Sequence, residues 1–279
     1  MSRMHVVHTT TFTYGGPVVA SYNEARMTPL SGRGQTVLSA GLEIDPHSWR
    51  HDFRDYWGTA VTAFEVTVPH ESLRLRSTSR VEVSPVTWPT APADWGVMTS
   101  DGVRNELAEF LTDSPATQAP EDLAAIAAEL AAGRSPHDAA EAVCGAVHDA
   151  VEYVTGSTSV HTYAAQAWEA RKGVCQDMAQ LAVGALRGIG IPARYVSGYL
   201  HPRRNAEVGE VVTGESHAWV EWWVGQWVPY DPTNGIPVAD NHVVLGRGRE
   251  YQDVAPVRGI YAGSGTDGLD VTVRITREA

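Results

Sequence analysis

The sequence predicts an α+β protein in which a strand-rich amino-terminal unit precedes a longer unit that begins helical and ends mixed. Three observations carry this. Residues 5–86 are rich in Thr, Val and Tyr with period-two alternation. Apolar residues between positions 103 and 187 recur instead at three- and four-residue spacing, with helix start and stop signals around them. Strongly β-prone runs then return at 193–200, 217–230 and 269–276. The expected division is residues 1–85, a connector at 86–100, and residues 101–279.

Within the first unit, Phe64-Glu65-Val66-Thr67-Val68 and Leu73-Arg74-Leu75-Arg76-Ser77 alternate as half-buried antiparallel strands do. Gly15-Gly16-Pro17, Ser31-Gly32-Arg33-Gly34 and Asp45-Pro46-His47 read as the turns between short strands. The expectation is a small β-sandwich-like module. The connector holds Pro85, Pro89, Pro92 and Gly96 with Trp88 and Trp95, which describes an extended segment pinned to the surface by aromatic anchors.

Three helices follow. The first runs through residues 103–111. The second starts after Pro120 with Glu121 and Asp122 in its first turn, runs through Ala132 and ends at Gly133. A third has Ser135 as N-cap, Pro136 at the first helical position, and Ala140, Val143, Val147, Val151 and Val154 on one face. Cys144 falls among those apolar residues and reads as inert core, whereas His148 and Asp149 read as a solvated face.

The long connection from Gly156 to Gly173 delivers Gly173-Val174-Cys175-Gln176-Asp177, where a helix begins with a cysteine in its first turn. The first amides of a helix lack intrahelical acceptors and carry partial positive charge, so they favour a thiolate. Cys175 is therefore the candidate nucleophile, and the preceding Arg171 and Lys172 are candidates to support its charge. Met178, Leu181, Ala182, Ala185 and Leu186 give the helix one buried face, and Gly188, Gly190 and Pro192 end it.

Residues 193–200 read as a strand, and 201–214 as a polar loop bordering the site. The runs 217–224 and 226–230 form a hairpin about Gly225. Parity constrains this hairpin. A two-residue loop would put His217 and Asp231 on opposite faces, while a three-residue loop, Val224-Gly225-Gln226, pairs Trp219 with Asp231. His217 and Asp231 then become diagonal neighbours roughly 7–8 Å apart at the backbone. The sequence predicts the three-residue loop. After Gly235 periodicity fades until the final strand at 269–276, and Gly246-Arg247-Gly248-Arg249 reads as a plain loop because it lacks the Lys-Ser/Thr pair of a phosphate loop.

Composition excludes several classes. Hydrophobic residues at 43% and charged residues at 19% describe a globular chain, not a disordered one. A formal charge of −12, from 33 acidic and 21 basic residues without a basic run, disfavours nucleic acid as a partner. The two cysteines, Cys144 and Cys175, are too few for a disulfide scaffold. No apolar run approaches the roughly 20 residues needed to cross a bilayer, and the amino end lacks a signal-peptide pattern. The expectation is a cytoplasmic protein with no membrane association.

Cys175, His217 and Asp231 supply a nucleophile, a proton carrier and an orienting carboxylate. A zinc site from the same residue types lacks close paired spacing, and no EF-hand-like acidic loop is visible, so no metal or other cofactor is expected. At this point the sequence resembles the transglutaminase-like superfamily. Gly173-Val174-Cys175-Gln176-Asp177 is similar to its nucleophile motif, Ser216-His217-Ala218-Trp219-Val220-Glu221 to its histidine motif, and Tyr230-Asp231-Pro232-Thr233-Asn234 to its aspartate motif. Gly190-Ile191-Pro192-Ala193-Arg194-Tyr195-Val196-Ser197-Gly198-Tyr199 also matches in order, and the amino-terminal segment resembles, less specifically, the module that precedes the core in bacterial members.

The resemblance implies a papain-like α+β core and thiol-dependent acyl transfer on peptide or glutamine amides through a thioester. Water as acceptor would make a peptidase or amidase, an amine a transglutaminase, and loss of chemistry a peptide-binding scaffold. The backbone N–H of Cys175 is the expected oxyanion donor, with Gln166, Trp168 and Gln176 as candidates for a second. A peptide or protein is the expected substrate.

Overall fold

Strand β1 (Ser2–Ala25) runs unbroken through Gly15-Gly16-Pro17, where the sequence places a turn. The computed structural model describes residues 1–85, 89–204 and 206–279, so Trp88 and Asn205 lie outside the described residues. Instead of reversing the chain, the Gly-Gly-Pro segment shifts the register of β1 against its neighbours. A Cβ on Gly16 would sit 2.7 Å from Ser264 Oγ and would push that hydroxyl aside. The irregularity lets one strand leave one set of partners and join another, as bulges do at sandwich corners.

β2 (Gln35–Asp45), β3 (Trp49–Arg54), β4 (Ala60–Val66) and β5 (His70–Val83) complete the amino-terminal strands. The Gly32–Gln35 bridge makes the expected turn before β2. The connector is held at the surface: Ala93 N donates to Val224 O at 2.9 Å, and Trp95 Nε1 donates to Arg134 O at 2.8 Å.

The predicted helix at 103–111 is two short pieces, α2 (Asp101–Glu106) and α3 (Ala108–Leu111), following α1 (Trp95–Met98). The break at Leu107 leaves helical geometry, buries that side chain, and sets Phe110 against Trp57 and Trp227. α4 (Glu121–Ala131) and α5 (Pro136–Ala150) start at their sequence signals, with the Ser135 hydroxyl accepting from Asp138 N at α5; α5 ends sooner than expected, leaving Val151 as its extended C-cap and Val154 outside the helix, because the chain turns into β6. Cys144 is buried among the apolar residues of α5, and burial pushes its thiol far above the usual range.

β6 (Glu152–Tyr153) pairs in parallel with β7 (Lys172–Gly173), bracketing α6 (Ala164–Ala170), and α7 (Cys175–Gly188) follows at once. Then come β8 (Ala193–Leu200), β9 (Val211–Trp223), β10 (Trp227–Asp231), β11 (Ile236–Pro237), β12 (His242–Gly248), α8 (Tyr251–Val254), β13 (Val257–Gly263) and β14 (Thr266–Arg277). Two expectations change here. The predicted polar loop at 201–214 is shortened by β9, which begins at Val211. The Gly-Arg repeat at 246–249 lies mostly in a strand, where Arg247 binds Glu221, so it is not a loop.

The sheet carries strand order β11-β10-β9-β14-β1-β4-β3, with β8 and β12 branching from β9 and with β2, β5 and β13 branching at β1. β9 is the hinge of this arrangement: residues 211–214 pair with β14, and residues 215–222 pair with β8. The carboxyl-terminal strands β13 and β14 both pair with β1, so the last segment of the chain completes the amino-terminal sheet.

Among the described residues, three buried clusters correspond to these layers. One joins α4, α5 and α7 to β8–β10, a second fills the amino-terminal strands around Phe64 and Leu75, and a third forms the seam through Val81, Tyr199, Val243 and Ile275. The fold is α+β, with a β domain before a papain-like core of helices against a curved antiparallel sheet.

Candidate active site

α7 is buried along almost its whole length, with Cys175 at its first position only half-buried. Burying the helix on β8 and β9 fixes where its amino end points. Asp177 closes that end: its Oδ2 accepts from Val174 N at 2.8 Å and from Thr158 Oγ1 at 2.6 Å. Burial raises the Asp177 carboxyl, and these hydrogen bonds only partly oppose it. Gly173 permits the closure, because its own Cβ would lie 3.0 Å from Asp177 Cβ. The amides of Cys175 and Gln176 remain at the open helix start, where helical carbonyls cannot reach them.

β9 and β10 bring the other two residues together. Trp223 pairs with Trp227 and Val220 with Tyr230, so the turn holds three residues, as the parity argument predicts. Gly225 supplies the positive φ of +90° that this turn requires. His217 and Asp231 therefore share a face, and His217 Nε2 lies 2.8 Å from Asp231 Oδ2, both side chains buried. With Nε2 directed at Asp231, Nδ1 is the ring nitrogen left on the side of Cys175, which is near enough to help raise the imidazole. Burial by itself would lower the basicity of His217. The bonds to Asp231 and Cys175 outweigh it and raise the imidazole to about 10.

Asp231 is the most heavily bonded group here. Oδ1 accepts from Thr233 N at 3.0 Å and Asn234 N at 3.2 Å, the turn geometry that Asp-Pro favours. Oδ2 accepts from His217 Nε2, from Asn234 Nδ2 at 2.7 Å and from His242 Nε2 at 3.2 Å. Burial opposes ionisation, yet the bonds from the two imidazoles hold the carboxyl well below its usual range. His242 is the converse case: burial lowers it more than Asp231 raises it. Its Nε2 faces Asp231, while Nδ1 lies 3.3 Å from Ala239 N and 3.1 Å from Asn241 Oδ1.

His217, Asp231 and His242 also form a group whose ligand-type atoms lie within 4.8 Å of one another. Their hydrogen bonds account for that spacing, since each imidazole spends its Nε2 proton on the same carboxylate oxygen. His242 was not singled out in the sequence. It lies eleven residues beyond Asp231 along the chain, at the start of a strand in a stretch without periodicity. His148, read as merely solvated, is exposed but sends Nδ1 to Pro232 O and Thr233 O, each at 3.1 Å, and so tethers the turn behind Asp231.

Several other sequence candidates have different partners. Arg171 pairs with Asp122 at 3.2 Å and stacks 3.9 Å over Trp168, while Lys172 lies 3.8 Å from Glu152, so neither is committed to Cys175. Trp168 Nε1 donates to both Asp122 oxygens at 2.8 Å, and Gln166 Oε1 accepts from Tyr163 N at 2.9 Å as a helix cap. Charge and local capping explain those assignments better than catalysis. Gln176 is buried at the second position of α7.

Glu221, the last residue of the histidine motif, is structural: Arg194 and Arg247 overcome its burial and hold it near 2. Tyr195 is a residue that sequence reasoning gave no role. Burial raises its hydroxyl well above the usual range, and the charges of Cys175, Tyr251 and Asp177 add to the effect. Tyr251 packs edge-on against Tyr195 at 6.3 Å and lines a cavity of about 270 Å³ with Gln180, Tyr163, Val160, Pro115 and Glu250. Trp219 packs tilted against His217 at 6.2 Å and edge-on against His242 at 5.3 Å. Gly198 makes room for it, because a Cβ there would lie 2.4 Å from the Trp219 ring and 2.2 Å from Val243 O.

A buried helix presenting a cysteine to a His-Asp pair on an antiparallel sheet, behind a β domain, defines the class of papain-like α+β proteins. The chain belongs to the transglutaminase-like superfamily, whose core description matches residues 124–232, while the bacterial transglutaminase-like N-terminal region matches residues 4–82. An uncharacterised protein of Mycobacterium leprae is 42% identical over 279 residues, covering 100% of both chains. Another, from Mycobacterium tuberculosis strain H37Rv, is 34% identical over 292 residues, covering 98% of this chain and 92% of its own. The crystal structure of a proposed cysteine protease from Cytophaga hutchinsonii superposes with a TM-score of 0.78 at 22% identity, covering 98% of this chain and 90% of that one. That likeness extends the fold agreement across both regions.

Proposed function

We propose that the protein catalyses thiol-dependent acyl transfer on peptide or glutamine amides, with Cys175, His217 and Asp231 as its catalytic triad. The observation that carries this reading is His217 bonded through Nε2 to buried Asp231 while its other face meets Cys175 at the start of α7. Asp231 holds the ring in one orientation and stabilises its charged form. The Cys175 sulfur attacks the amide carbonyl carbon, and the Cys175 amide at the helix start receives the developing oxyanion. As the C–N bond breaks, the proton on His217 Nδ1 passes to the departing amine, leaving a thioester. An incoming amine or water then gives its proton to His217, bonds to the acyl carbon and releases the Cys175 sulfur.

The half-buried position of Cys175 leaves the thioester open to water, so hydrolysis is the second reading. It agrees with the proposed cysteine protease assignment of the Cytophaga hutchinsonii protein. A peptide or protein substrate in a reducing compartment such as the cytoplasm completes the proposal, with both cysteines free thiols.

The test is mass spectrometry of wild type and Cys175→Ala incubated with a library of glutamine- and amide-containing peptides, with and without a primary amine. Cys175-dependent amine adducts establish transfer to amines, and cleavage or deamidation alone establishes the hydrolase. Identical outcomes for wild type and Cys175→Ala would reject the enzyme reading.

A further inference from the structure

β3 pairs with β4 along one edge, and no other strand among the described residues lies along its second edge. All six of its residues are exposed, with Trp49 at 65% and Phe53 at 38%. Trp49, His51 and Phe53 stack down one face, with ring centroids 6.3 Å and 6.0 Å apart. Arg50, Asp52 and Arg54 alternate on the other face. A free edge bearing a stack of aromatic rings invites another strand unless its charges forbid one.

Here the charges select a particular partner. Two identical strands related by a two-fold axis pair antiparallel with same-face residues opposite each other, so Trp49, His51 and Phe53 can oppose only one another. That condition leaves few registers. Centring on Arg50 sets the two Arg50 side chains face to face. Centring on Asp52 does the same to the two Asp52 carboxylates and sets Arg50 against Arg54. Centring on His51 places Arg50 opposite the Asp52 of the second copy, twice, and Trp49 opposite its Phe53, twice. Centring on Phe53 also sets Asp52 against Arg54 and Phe53 against its copy, but it overlaps only residues 52–54, whereas the register centred on His51 overlaps residues 49–53 and joins two opposite-charge pairs to two Trp49–Phe53 pairs; both kinds of cross-strand pair stabilise a sheet.

We propose that a second copy of this chain docks on β3, joining the two amino-terminal sheets edge to edge in the register centred on His51. The edge is short, so the dimer is a weak and reversible one. An uncharged foreign strand would gain neither of these opposite-charge pairs, which favours a second copy over such a strand.

The test is sedimentation velocity of the full chain at about pH 8, from about 1 μM to about 500 μM, with wild type, Arg50→Asp and Asp52→Arg. Wild type is expected to shift from monomer to dimer as concentration rises. In the expected register each variant alone opposes like charges, so its self-association weakens about tenfold or more. Mixing the two variants restores two opposite-charge pairs per dimer, and a heterodimer forms. This rescue separates docking from folding, which matters because Arg50 also binds Leu42 O and Asp52 accepts from Thr62 within the chain. A wild type that stays monomeric throughout overturns the proposal, as does self-association that neither variant changes, or a mixture with no heterodimer.

Discussion

Asp231→Asn is the substitution that interrogates the site most sharply, because it preserves shape while changing one acceptor into a donor. Oδ1 would still accept from Thr233 N and Asn234 N. At Oδ2, three donors converge: His217 Nε2, Asn234 Nδ2 and His242 Nε2. An amide NH2 there opposes all three. His217 can relieve its share only by moving its proton to Nδ1 and accepting through Nε2, which presents the wrong tautomer to Cys175. Each buried donor left unsatisfied costs about 1–3 kcal/mol, and loss of one partner of a buried charged pair about 3–5 kcal/mol. The expected loss of folding stability is about 3–5 kcal/mol by urea unfolding, and the loss in kcat on an amide substrate about 10⁴-fold. A variant within about tenfold of wild-type kcat and within about 1 kcal/mol in stability would refute the reasoning.

Three further outcomes follow from neighbouring contacts. His242→Leu removes one donor to Asp231 while leaving the other two, so kcat/KM should fall by about 10–100-fold with KM little changed; an unchanged kcat would show that His242 only fills space. Gly198→Ala forces a Cβ against Val243 O and Trp219, and should cost about 3 kcal/mol or more in unfolding free energy; a neutral result would mean that the Trp219 ring can move. The His217–Asp231 pair also predicts a pH window. His217 is raised, so its contribution to stability is complete below about 6.5 and is lost as pH rises through about 10. Asp231 is lowered, so its contribution is present above about 4 and is lost on acidification. Together these place the pair's largest stabilisation between about pH 4 and 6.5, declining toward 10. Stability against pH for wild type and Asp231→Asn checks this, and parallel curves would contradict it. In NMR, the His217 imidazole should stay protonated well above pH 7.

The local grammar of the chain was legible wherever neighbours in sequence decide structure. The Ser135-Pro136 start of α5, the glycine and proline stop after α7, and the β8 span all follow from capping, backbone constraint and period, which act within a few residues. The hairpin register was legible for the same reason: parity through a short turn converts three loop residues into a shared face for His217 and Asp231.

Tertiary structure decided whatever depends on who lies across the gap. Gly15-Gly16-Pro17 has a turn's composition, yet pairing on both sides of β1 kept it extended. The stretch after Gly235 carries little periodicity because β12 is buried against β8, so its side chains do not sort into wet and dry faces. Arg171, Lys172 and Trp168 sit beside Cys175 in sequence but are drawn to Asp122 and Glu152, since a nearby opposite charge outweighs sequence proximity. The sequence by itself determined the three residues that carry the proposed chemistry and the helix and hairpin that present them. Only the folded chain decided that His242 and Asn234 converge with His217 on one oxygen of Asp231, because hydrogen bonds between strands β9 and β12 and the turn after β10 depend on packing, which no local spacing encodes.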